Sequence, residues 1–421
     1  MKKFTSLDDL SFTFSYGGSG NSPKAYYAYY STYGTNSFSY LGTKGVYPSS
    51  MELSNYRWEN VVQTDVGLRL SMFKGDFTVD ADVYRKRTND MLFSGLGIST
   101  LSGFDNIDMN VGTMDNQGWE ITLNSTIVKK KDFLVQFNFN IARNTNIIRK
   151  ISEFYPMEGG DLSQNGQYQV IVRPNNPFGS FYGYKYEGVY KDKDATIARD
   201  KEGNKIYDPQ GNPIQMKFYY PSVGYEFQPG DAKYEDVNHD GNINYQDVVL
   251  LGDANPLFTG GFGTTFKYKN LRLSTYFHYR YGNDILNSTR MTTENMYSFN
   301  NQSTAVLKRW RKEGDVTNVP RALYGYGYNW LGSDRFIENG SFLRFKSVTL
   351  SYSIMKGIEK IGVRSINMYA TLQNLLTWTN YTGQDPEVSF KPRVDKPFAI
   401  GYDDSKTPPA RSFIFGMTVQ F

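Results

Sequence analysis

The residues most suited to chemistry lie in one stretch, 236–247, whose oxygen-bearing groups recur at the spacing of a calcium-binding loop. Carboxylate or amide side chains stand at loop positions one, three, five, nine and twelve, and position seven offers a backbone carbonyl. Gly241 stands at position six, where the chain must turn sharply. Calcium takes about six to eight oxygen ligands, and this spacing wraps them around one point. The sequence therefore predicts a Ca2+ site formed by Asp236, Asn238, Asp240, Asn242, Asn244 and Asp247.

Two features leave the interpretation of this loop open. Position twelve holds Asp247 where glutamate is usual, so a bidentate contact to the metal is not assured. A polar surface turn rich in asparagine and aspartate is the alternative interpretation. A calcium site belongs where calcium is abundant, and calcium is scarce in the cytosol. The loop therefore also predicts on which side of a membrane this part of the chain lies.

Other chemistry has little support in the chain. There is no cysteine, so the sequence offers neither disulfides nor thiol chemistry. The two histidines are His239, inside the calcium loop, and His278, in a strand-like segment, which argues against a histidine-based catalytic or metal site. The formal net charge is +4 and the basic residues are scattered, so no nucleic-acid partner is expected. The sequence predicts no catalytic residues and no cofactor besides Ca2+.

The composition indicates which elements must hold this loop. Aromatic residues make up 16% of the 421 residues, yet the mean hydropathy is −0.54. No apolar run is long enough for a membrane-spanning helix. Many aromatic residues, 39 glycines and a polar average suit a sheet that faces lipid on one side and water or polar groups on the other. The predicted fold class is all-β, a transmembrane antiparallel β-barrel segment.

Apolar and polar residues alternate in segments of about ten residues, the length that a tilted strand needs to cross a bilayer. In one such segment Val66, Leu68 and Leu70 alternate with Gly67 and Arg69. This alternation predicts strands near 8–17, 66–72, 77–83, 119–123, 133–141, 262–268, 271–279, 342–354, 364–374 and 411–421. The expected wall therefore has about ten strands.

The connections between these segments alternate in length. Short turns follow every second segment, and long segments follow the others, near 18–60, 89–116, 145–258, 282–341 and 375–410. In outer-membrane barrels the short turns face the periplasm and the long loops face outward. The long loops, with the calcium loop among them, are therefore predicted to be extracellular. The chain ends on Phe421, which continues an apolar row and is similar to the terminal strand that barrel-insertion machinery recognises; the edge of a soluble β-sandwich is the alternative.

Several motifs resemble the C-terminal barrel half of SusC/RagA-like TonB-dependent transporters of Bacteroidetes. They occur in the family's order and extend over most of the chain. The matching stretches are 57–59 (RWE), 82–90 (DVYRKRTND), 110–120 (NVGTMDNQGWE), 229–234 (PGDAKY), 252–256 (GDANP), 339–344 (NGSFLR) and 373–387 (QNLLTWTNYTGQDPE). Motifs in this number and order are highly specific for that family.

The resemblance implies that residues 1–421 form the last ten strands of a roughly 22-stranded barrel. Family members also carry an N-terminal signal, a plug domain and a TonB-contacting segment, and none of these is expected within this sequence. An open wall would leave unpaired strand edges in lipid, where each unsatisfied backbone group costs several kcal/mol. We therefore expect another polypeptide or chain part to supply the plug and the remaining strands. A ten-stranded barrel closed on itself is the less favoured alternative.

The function that the resemblance implies is TonB-dependent import of oligosaccharides or peptides across the bacterial outer membrane. A SusD-like surface lipoprotein would close over the outer loops, TonB would act through the missing plug, and outer-membrane lipid would surround the wall. Calcium would stiffen the long 145–258 segment. Two alternatives stay open, namely a ten-stranded outer-membrane hydrolase and a secreted calcium-binding adhesion module of β-sandwich type.

Other segments carry weaker indications. Aromatic clusters at 26–30 and 324–330 would stack on sugars, contact a lid protein or pack among the loops. A short loop helix is predicted over 303–312 from the helical spacing of its apolar residues. Asp385 and Glu387, separated by one proline, are expected to hold a turn and not to contact substrate.

Overall fold

The structure is a computed structural model that describes residues 6–23, 26–151, 173–219, 224–358, 362–387, 400–405 and 407–421. Parts of the predicted loops 18–60, 145–258 and 375–410 therefore lie outside the described residues, as do residues 359–361 between the predicted strands 342–354 and 364–374. The described chain consists mainly of strands, as its composition predicts.

Within the described residues, one antiparallel sheet contains ten strands, and each strand pairs with its neighbours in the chain order of the sheet. We number these strands β1 to β10. They are Leu7–Asn21, Glu59–Met72, Phe77–Gly97, Asn106–Lys129, Phe133–Lys150, Phe258–Tyr268, Leu271–Tyr281, Phe342–Ile354, Ser365–Thr379 and Ser412–Gln420. The prediction of an all-β fold with an antiparallel sheet of about ten strands is confirmed.

The sheet is an open wall with two edges, β1 and β10. In the part of the chain that the structure describes, neither edge strand pairs with a further strand on its outer side. Edge strands expose backbone N–H and C=O groups that still need hydrogen-bond partners. The wall therefore has the form of a barrel segment, as predicted, and not of a closed barrel.

The two faces of the wall differ in polarity because successive side chains of a strand point to opposite sides. In β5, Phe139 points to one side and lies opposite Phe262 of β6, whereas Asn138 points to the other side. The rings of Phe262, Phe277 and Phe345 continue the first side, with stacked ring centroids 4.8 and 4.5 Å apart. We call the side of Phe139 the apolar face and the side of Asn138 the polar face.

The connections define a turn end and a loop end of the wall. At the turn end, Lys269 and Asn270 alone join β6 to β7, and residues 73–76 join β2 to β3. Gly75 in that second turn has φ +81°, a conformation that glycine adopts without strain. At the loop end the connections are long, with one exception described next.

The segment 89–116, predicted to be a long loop, is mostly strand. β3 continues to Gly97 and β4 begins at Asn106, so only the residues 98–105 connect them. From Tyr84 to Asp90 the sequence is polar on both faces of the strand. The apolar alternation that predicts a membrane-crossing strand therefore ends before the hydrogen-bonded pairing does, which is why the predicted boundary is wrong.

The long connections form a layer of short elements at the loop end. Its strands are Tyr33–Tyr40, Thr43–Pro48, Ser180–Gly183, Tyr186–Val189, Lys217–Tyr219, Gly224–Glu226, Ala232–Tyr234, Asn242–Ile243, Val249–Asp253, Asp284–Asn287, Ile337–Asn339 and Tyr402–Asp403. Its helices are the α-helix α1, Ser288–Glu294, and the 3-10 helices Thr100–Ser102, Asp194–Thr196, Tyr245–Asp247, Thr304–Lys308 and Asp334–Phe336. No helix among the described residues has the length and apolar character to cross a membrane.

This loop layer has its own hydrophobic core, which is rich in aromatic side chains. The larger cluster of buried residues contains Tyr182, Tyr184, Tyr190, Ala198, Met216, Phe218, Tyr225, Phe227, Ala232, Tyr234, Ile243, Val248 and Leu331. A smaller cluster contains Phe181, Ala254, Leu286 and Phe336. Burial of apolar surface inside the layer stabilises it, so the layer does not depend on lipid for its fold.

Two exposed turns of the same design project from the loop layer. In 200–204 and in 208–212, the carboxylate of the first residue accepts the backbone N–H of the last residue at 2.8 Å. Gly203 and Gly211 have φ +87° and +84°, and open space surrounds the position of a Cβ at both. Local hydrogen bonds hold these turns, and the Arg199 side chain adds one to the carbonyl of Gly203 at 3.0 Å.

The two-faced wall predicts opposite outcomes for neighbouring substitutions in β5. If lipid covers the apolar face, Phe137→Lys places a charge in the bilayer and costs about 2–4 kcal/mol. Asn138→Lys, one residue on, places the same charge on the polar face and is tolerated. The measurement is heat-modifiable migration of the assembled protein from the outer-membrane fraction. Equal effects of the two substitutions would contradict the assignment of the faces.

Candidate functional site

The predicted calcium loop, 236–247, lies within the loop layer and is fixed at both ends. It follows the strand Ala232–Tyr234 and precedes the strand Val249–Asp253. The first of these pairs with Tyr186–Val189 and the second with Ser180–Gly183. Inside the loop, the Ile243 side chain is fully buried in the aromatic core. The order of this loop is therefore linked to the packing of the whole layer.

The first half of the loop is organised around Asp236. The N–H of Gly241 donates to one carboxylate oxygen of Asp236 at 2.7 Å, and the N–H of Asp240 donates to the other at 3.2 Å. Gly241 has φ +82°, and a Cβ there would lie 3.1 Å from carbon atoms of Ala198 and Ile214. Glycine is required at this position by both its backbone conformation and the space available, as the sequence predicts.

Asp247 closes the loop by joining its beginning to its end. Its side chain is fully buried, and its two oxygens accept the N–H groups of Val237 and Asn244, both at 2.9 Å. Burial raises the pKa of Asp247 to about 6, and burial also raises the pKa of Asp236. The neighbouring Asp240 carboxylate raises both pKa values further. The ionised loop therefore contains carboxylates that repel one another in a partly buried place.

The remaining predicted ligands also turn their oxygens toward the loop. The side-chain oxygen of Asn238 accepts the N–H of Asp240 at 3.1 Å, and that of Asn244 accepts the N–H of Gln246 at 2.8 Å. The side-chain oxygen of Asn242 is buried and has no hydrogen-bond donor among the described residues. A bound cation would give this oxygen a partner. The sequence predicts only the backbone carbonyl of Asn242 as a ligand, so its side chain is an addition from the structure.

The chemistry of these donors fits a hard cation. The loop combines the carboxylates of Asp236, Asp240 and Asp247 with amide oxygens, which are the ligand types that Ca2+ prefers. Among the described residues, no group of three or more His, Cys, Asp or Glu side chains is placed to hold a metal ion. A site here would thus depend on amide and backbone oxygens as well as on carboxylates. Calcium binding by this loop stays a prediction.

A buried ion pair joins two of the long loops, and the sequence alone did not reveal it. Asp231 is fully buried and accepts Nε of Arg321 at 2.7 Å, the Tyr225 hydroxyl at 2.7 Å and the Asn329 amide at 3.2 Å. The N–H of Arg321 donates in return to the carbonyl of Gly230 at 2.8 Å. The PGDAKY motif therefore locks the 145–258 loop to the 282–341 loop. Ninety residues separate Asp231 from Arg321, so no local pattern predicts the pair.

A second buried ion pair ties the last long loop to the wall. Arg344, at the loop end of β8, is almost fully buried and donates to Asp385 at 2.5 Å, and its Nη1 lies 2.8 Å from Glu387. The N–H of Glu387 also donates to the Asp385 carboxylate at 2.8 Å. Asp385 thus holds a turn, as predicted, and in addition compensates a buried charge.

The aromatic cluster 324–330 has one ring packed in the core, as the packing role predicts, and two exposed rings. Tyr328 stacks on Phe218 of the core with ring centroids 4.2 Å apart, whereas Tyr324 and Tyr326 are more than half exposed. The residues 26–30 likewise present exposed tyrosine rings. The helix predicted over 303–312 is a 3-10 turn, Thr304–Lys308, shorter than its apolar spacing suggested.

Comparison with known proteins places these observations in a family. The family described as "TonB dependent receptor-like, beta-barrel" matches residues 3–264. The chain is 28% identical over 420 residues to TonB-dependent receptor P3 of Formosa agariphila, which covers 97% of this chain and 39% of that protein. It is 26% identical over 376 residues to TonB-dependent receptor SusC of Bacteroides thetaiotaomicron, which covers 87% of this chain and 32% of that protein.

The fold is also similar to a solved structure of the RagAB peptide importer in its closed-closed state. The TM-score is 0.75 at 26% identity, and the match covers 100% of this chain and 42% of that chain. This chain therefore spans between about a third and two fifths of the length of the relatives that it matches.

Calcium is expected to stabilise the loop layer through Asp236. In the assembled protein, calcium at about a hundredfold above its Kd adds about 2.7 kcal/mol to the stability of the layer, because only the folded loop binds it. Asp236→Asn is expected to abolish this gain. The measurement is resistance of the 145–258 segment to proteolysis in calcium and in chelator. The matched control is Asp208→Asn, which removes an exposed turn carboxylate outside the loop.

The pH dependence of this effect follows from Asp247. Its pKa is raised from 3.8 to about 6, so its contribution to the stability of the calcium-free protein is full below about pH 4 and is lost as the pH rises through 6. Calcium is therefore expected to protect the segment more strongly at pH 7 than at pH 5. Equal protection at both pH values, or protection that survives Asp236→Asn, would contradict the site.

Removal of the Asp231 carboxylate is expected to loosen the loop layer and leave the wall intact. Asp231→Asn leaves Arg321 without its counter-charge, and loss of one partner of a buried pair costs about 3 kcal/mol. Proteolysis within 282–341 is expected to become faster, with unchanged heat-modifiable migration. Asp315→Asn is the control, because Asp315 is an exposed carboxylate of the same loop that caps only local N–H groups. Equal rates of proteolysis in the two variants would contradict the proposal that the Asp231–Arg321 pair holds the two loops together.

Proposed function

Since this chain belongs to the TonB dependent receptor-like β-barrel family, we propose that it forms part of the wall of an outer-membrane importer. The observation that carries the proposal is the ten-stranded wall with one apolar face, one polar face and two open edges. In a bilayer such a wall is stable only when lipid covers the apolar face and further strands pair with β1 and β10. The remaining strands and a plug would come from another polypeptide or from another part of a longer chain.

The proposed cargo is an oligosaccharide or a peptide too large for porins. The likeness in fold to the RagAB peptide importer supports a peptide. The exposed rings of Tyr324 and Tyr326 in the loop layer support a sugar, because flat aromatic faces stack well against sugar rings. Either cargo would pass along the polar face of the wall and not along the apolar one.

The proposed partners follow from the same arrangement. The loop layer would face outward, and a SusD-like surface lipoprotein would close over it as a lid. The buried core of the loop layer and its buried ion pairs support this role, because a lid needs a rim of fixed shape. TonB would act on the plug in the part of the barrel that other residues supply. Calcium at 236–247 would hold the 145–258 segment in the shape that the lid contacts.

Two other classes of function fit the structure less well. A hydrolase would need a histidine paired with a carboxylate, but in the described residues His239 contacts the carbonyl of Arg199 at 3.2 Å and His278 packs near the Phe342 ring. A β-sandwich adhesion module would pack two sheets face to face. The long strands described here form one sheet with consecutive neighbours.

Uptake by the native cell tests the proposal. Deletion of the gene is expected to abolish TonB-dependent uptake of a labelled oligosaccharide or a labelled peptide, and the wild-type gene restores it. Loss of TonB, or collapse of the inner-membrane proton gradient, is expected to have the same effect because the plug can then not be moved. Uptake that survives the loss of TonB would contradict the proposed mechanism. The two cargo classes are separated by which label enters the cell.

A further inference from the structure

Three arginine side chains converge on one buried carboxylate near the loop end of the wall. Nε and Nη2 of Arg87 donate to the two oxygens of Asp115 at 2.6 and 2.9 Å. Nε of Arg149 donates to Asp115 at 2.9 Å and Nη2 of Arg85 at 3.2 Å. The Asp115 side chain has no exposed surface, whereas the arginine side chains keep between 38% and 55% of theirs.

This arginine cluster lies on the apolar face of the wall. Arg85 and Arg87 follow Val83 in β3 at even spacings, so their side chains point to the same side as that of Val83. Asp115 precedes Trp119 in β4 at an even spacing and therefore points to the same side as Trp119. Val83 and Trp119 are partners in the register of these strands. The cargo path and the plug would lie on the opposite, polar face.

The cluster also lies at the upper border of the apolar band. Arg87 is ten residues beyond Phe77, the first residue of β3, and ten residues of a strand tilted by about 40° rise about 25 Å. That height equals the thickness of about 25 Å that such an apolar band has. Just below the cluster, the rings of Trp119 and Phe258 lie 6.1 Å apart, and Arg143 lies over the Phe258 ring at 5.9 Å. Aromatic side chains of this kind mark the membrane interface.

The charges of the cluster are not balanced. Three guanidinium groups, on Arg85, Arg87 and Arg149, face the single carboxylate of Asp115. Each guanidinium group has more N–H donors than the one or two hydrogen bonds that Asp115 accepts from it. The exposed surface of the arginine side chains leaves the other donors accessible to a ligand. Asp115 holds the three side chains in place, so little further ordering is needed when they bind an anion.

We propose that this arginine cluster binds the phosphate group of an outer-leaflet lipid headgroup. Guanidinium groups match phosphate oxygens with paired, charge-assisted hydrogen bonds. The cluster lies at the height of the headgroups and on the side that faces lipid, with an aromatic ring pair directly below it for the acyl chains. This inference rests on the proposed position of the wall in the outer membrane.

The test uses the whole assembled transporter in nanodiscs that contain either phosphorylated lipid A or the same lipid without its phosphates. The number of lipid A molecules retained per complex is measured by native mass spectrometry. The double variant Arg85→Gln with Arg149→Gln keeps the bidentate pair of Arg87 with Asp115, so the buried carboxylate stays compensated. Retention of phosphorylated lipid A is expected to fall about tenfold or more, because two charge-assisted contacts are lost.

The matched control is Lys86→Gln, which removes one positive charge between Arg85 and Arg87 but on the polar face. It is expected to retain phosphorylated lipid A as the wild type does. Excess inorganic phosphate distinguishes a lipid site from a site for the free ion: it is expected to leave the retained lipid unchanged. Equal retention of the two forms of lipid A, displacement by inorganic phosphate, or an acidic protein bound in place of lipid would each overturn the proposal.

The outcome is separable from the proposed import function. Heat-modifiable migration and cargo uptake are expected to be unchanged in the double variant, since the cluster lies away from the cargo path. A wild-type complex that enters nanodiscs but does not distinguish the two forms of lipid A would overturn the lipid site alone. A wild-type complex that does not enter nanodiscs would overturn the position of the wall in the membrane and the lipid site with it.

Discussion

The hydrogen-bond requirement of the backbone governs the rest of this structure. A wall that is one strand thick can satisfy its N–H and C=O groups only sideways, through neighbouring strands. Strands in chain order from β1 to β10 meet this requirement along their paired stretches, and the outer sides of the two edge strands lack a partner strand among the described residues. Side chains are then free to differ between the faces, because pairing does not depend on them. The polarity difference between the faces and the need for companion strands both follow from this single constraint.

The loop layer is stabilised by other means. Its strands are short, so backbone pairing alone would not hold it, and buried aromatic residues form its core. Buried ion pairs, among them Asp231 with Arg321 and Arg344 with Asp385, link segments that are distant in sequence. The acidic loop 236–247 adds a further link. Ile243 anchors this acidic loop in the same core. The wall and the layer thus depend mainly on different interactions, and the pair of Arg344 in β8 with Asp385 joins the two.

The sequence predicted the parts of the fold that local patterns determine. Alternation of apolar and polar residues located all ten strands of the wall, and oxygen spacing with Gly241 located a loop whose turn has the expected geometry. The extension of β3 and β4 beyond the apolar band was missed, since polar residues on both faces carry no alternation. The partners of Asp115, Asp231 and Arg344 were missed for another reason. They come from distant segments, and only the folded register brings them together.

The two turns at 200–204 and 208–212 are suitable places to insert a peptide epitope into this protein. Each is held by its own carboxylate, and open space surrounds the position of a Cβ at its glycine. A short foreign peptide joined at Gly203 or Gly211 would extend into open space without altering the core beneath it. Antibody fragments directed at such an epitope would report which side of the cell envelope the segment occupies, and would add recognisable mass for particle alignment in electron microscopy.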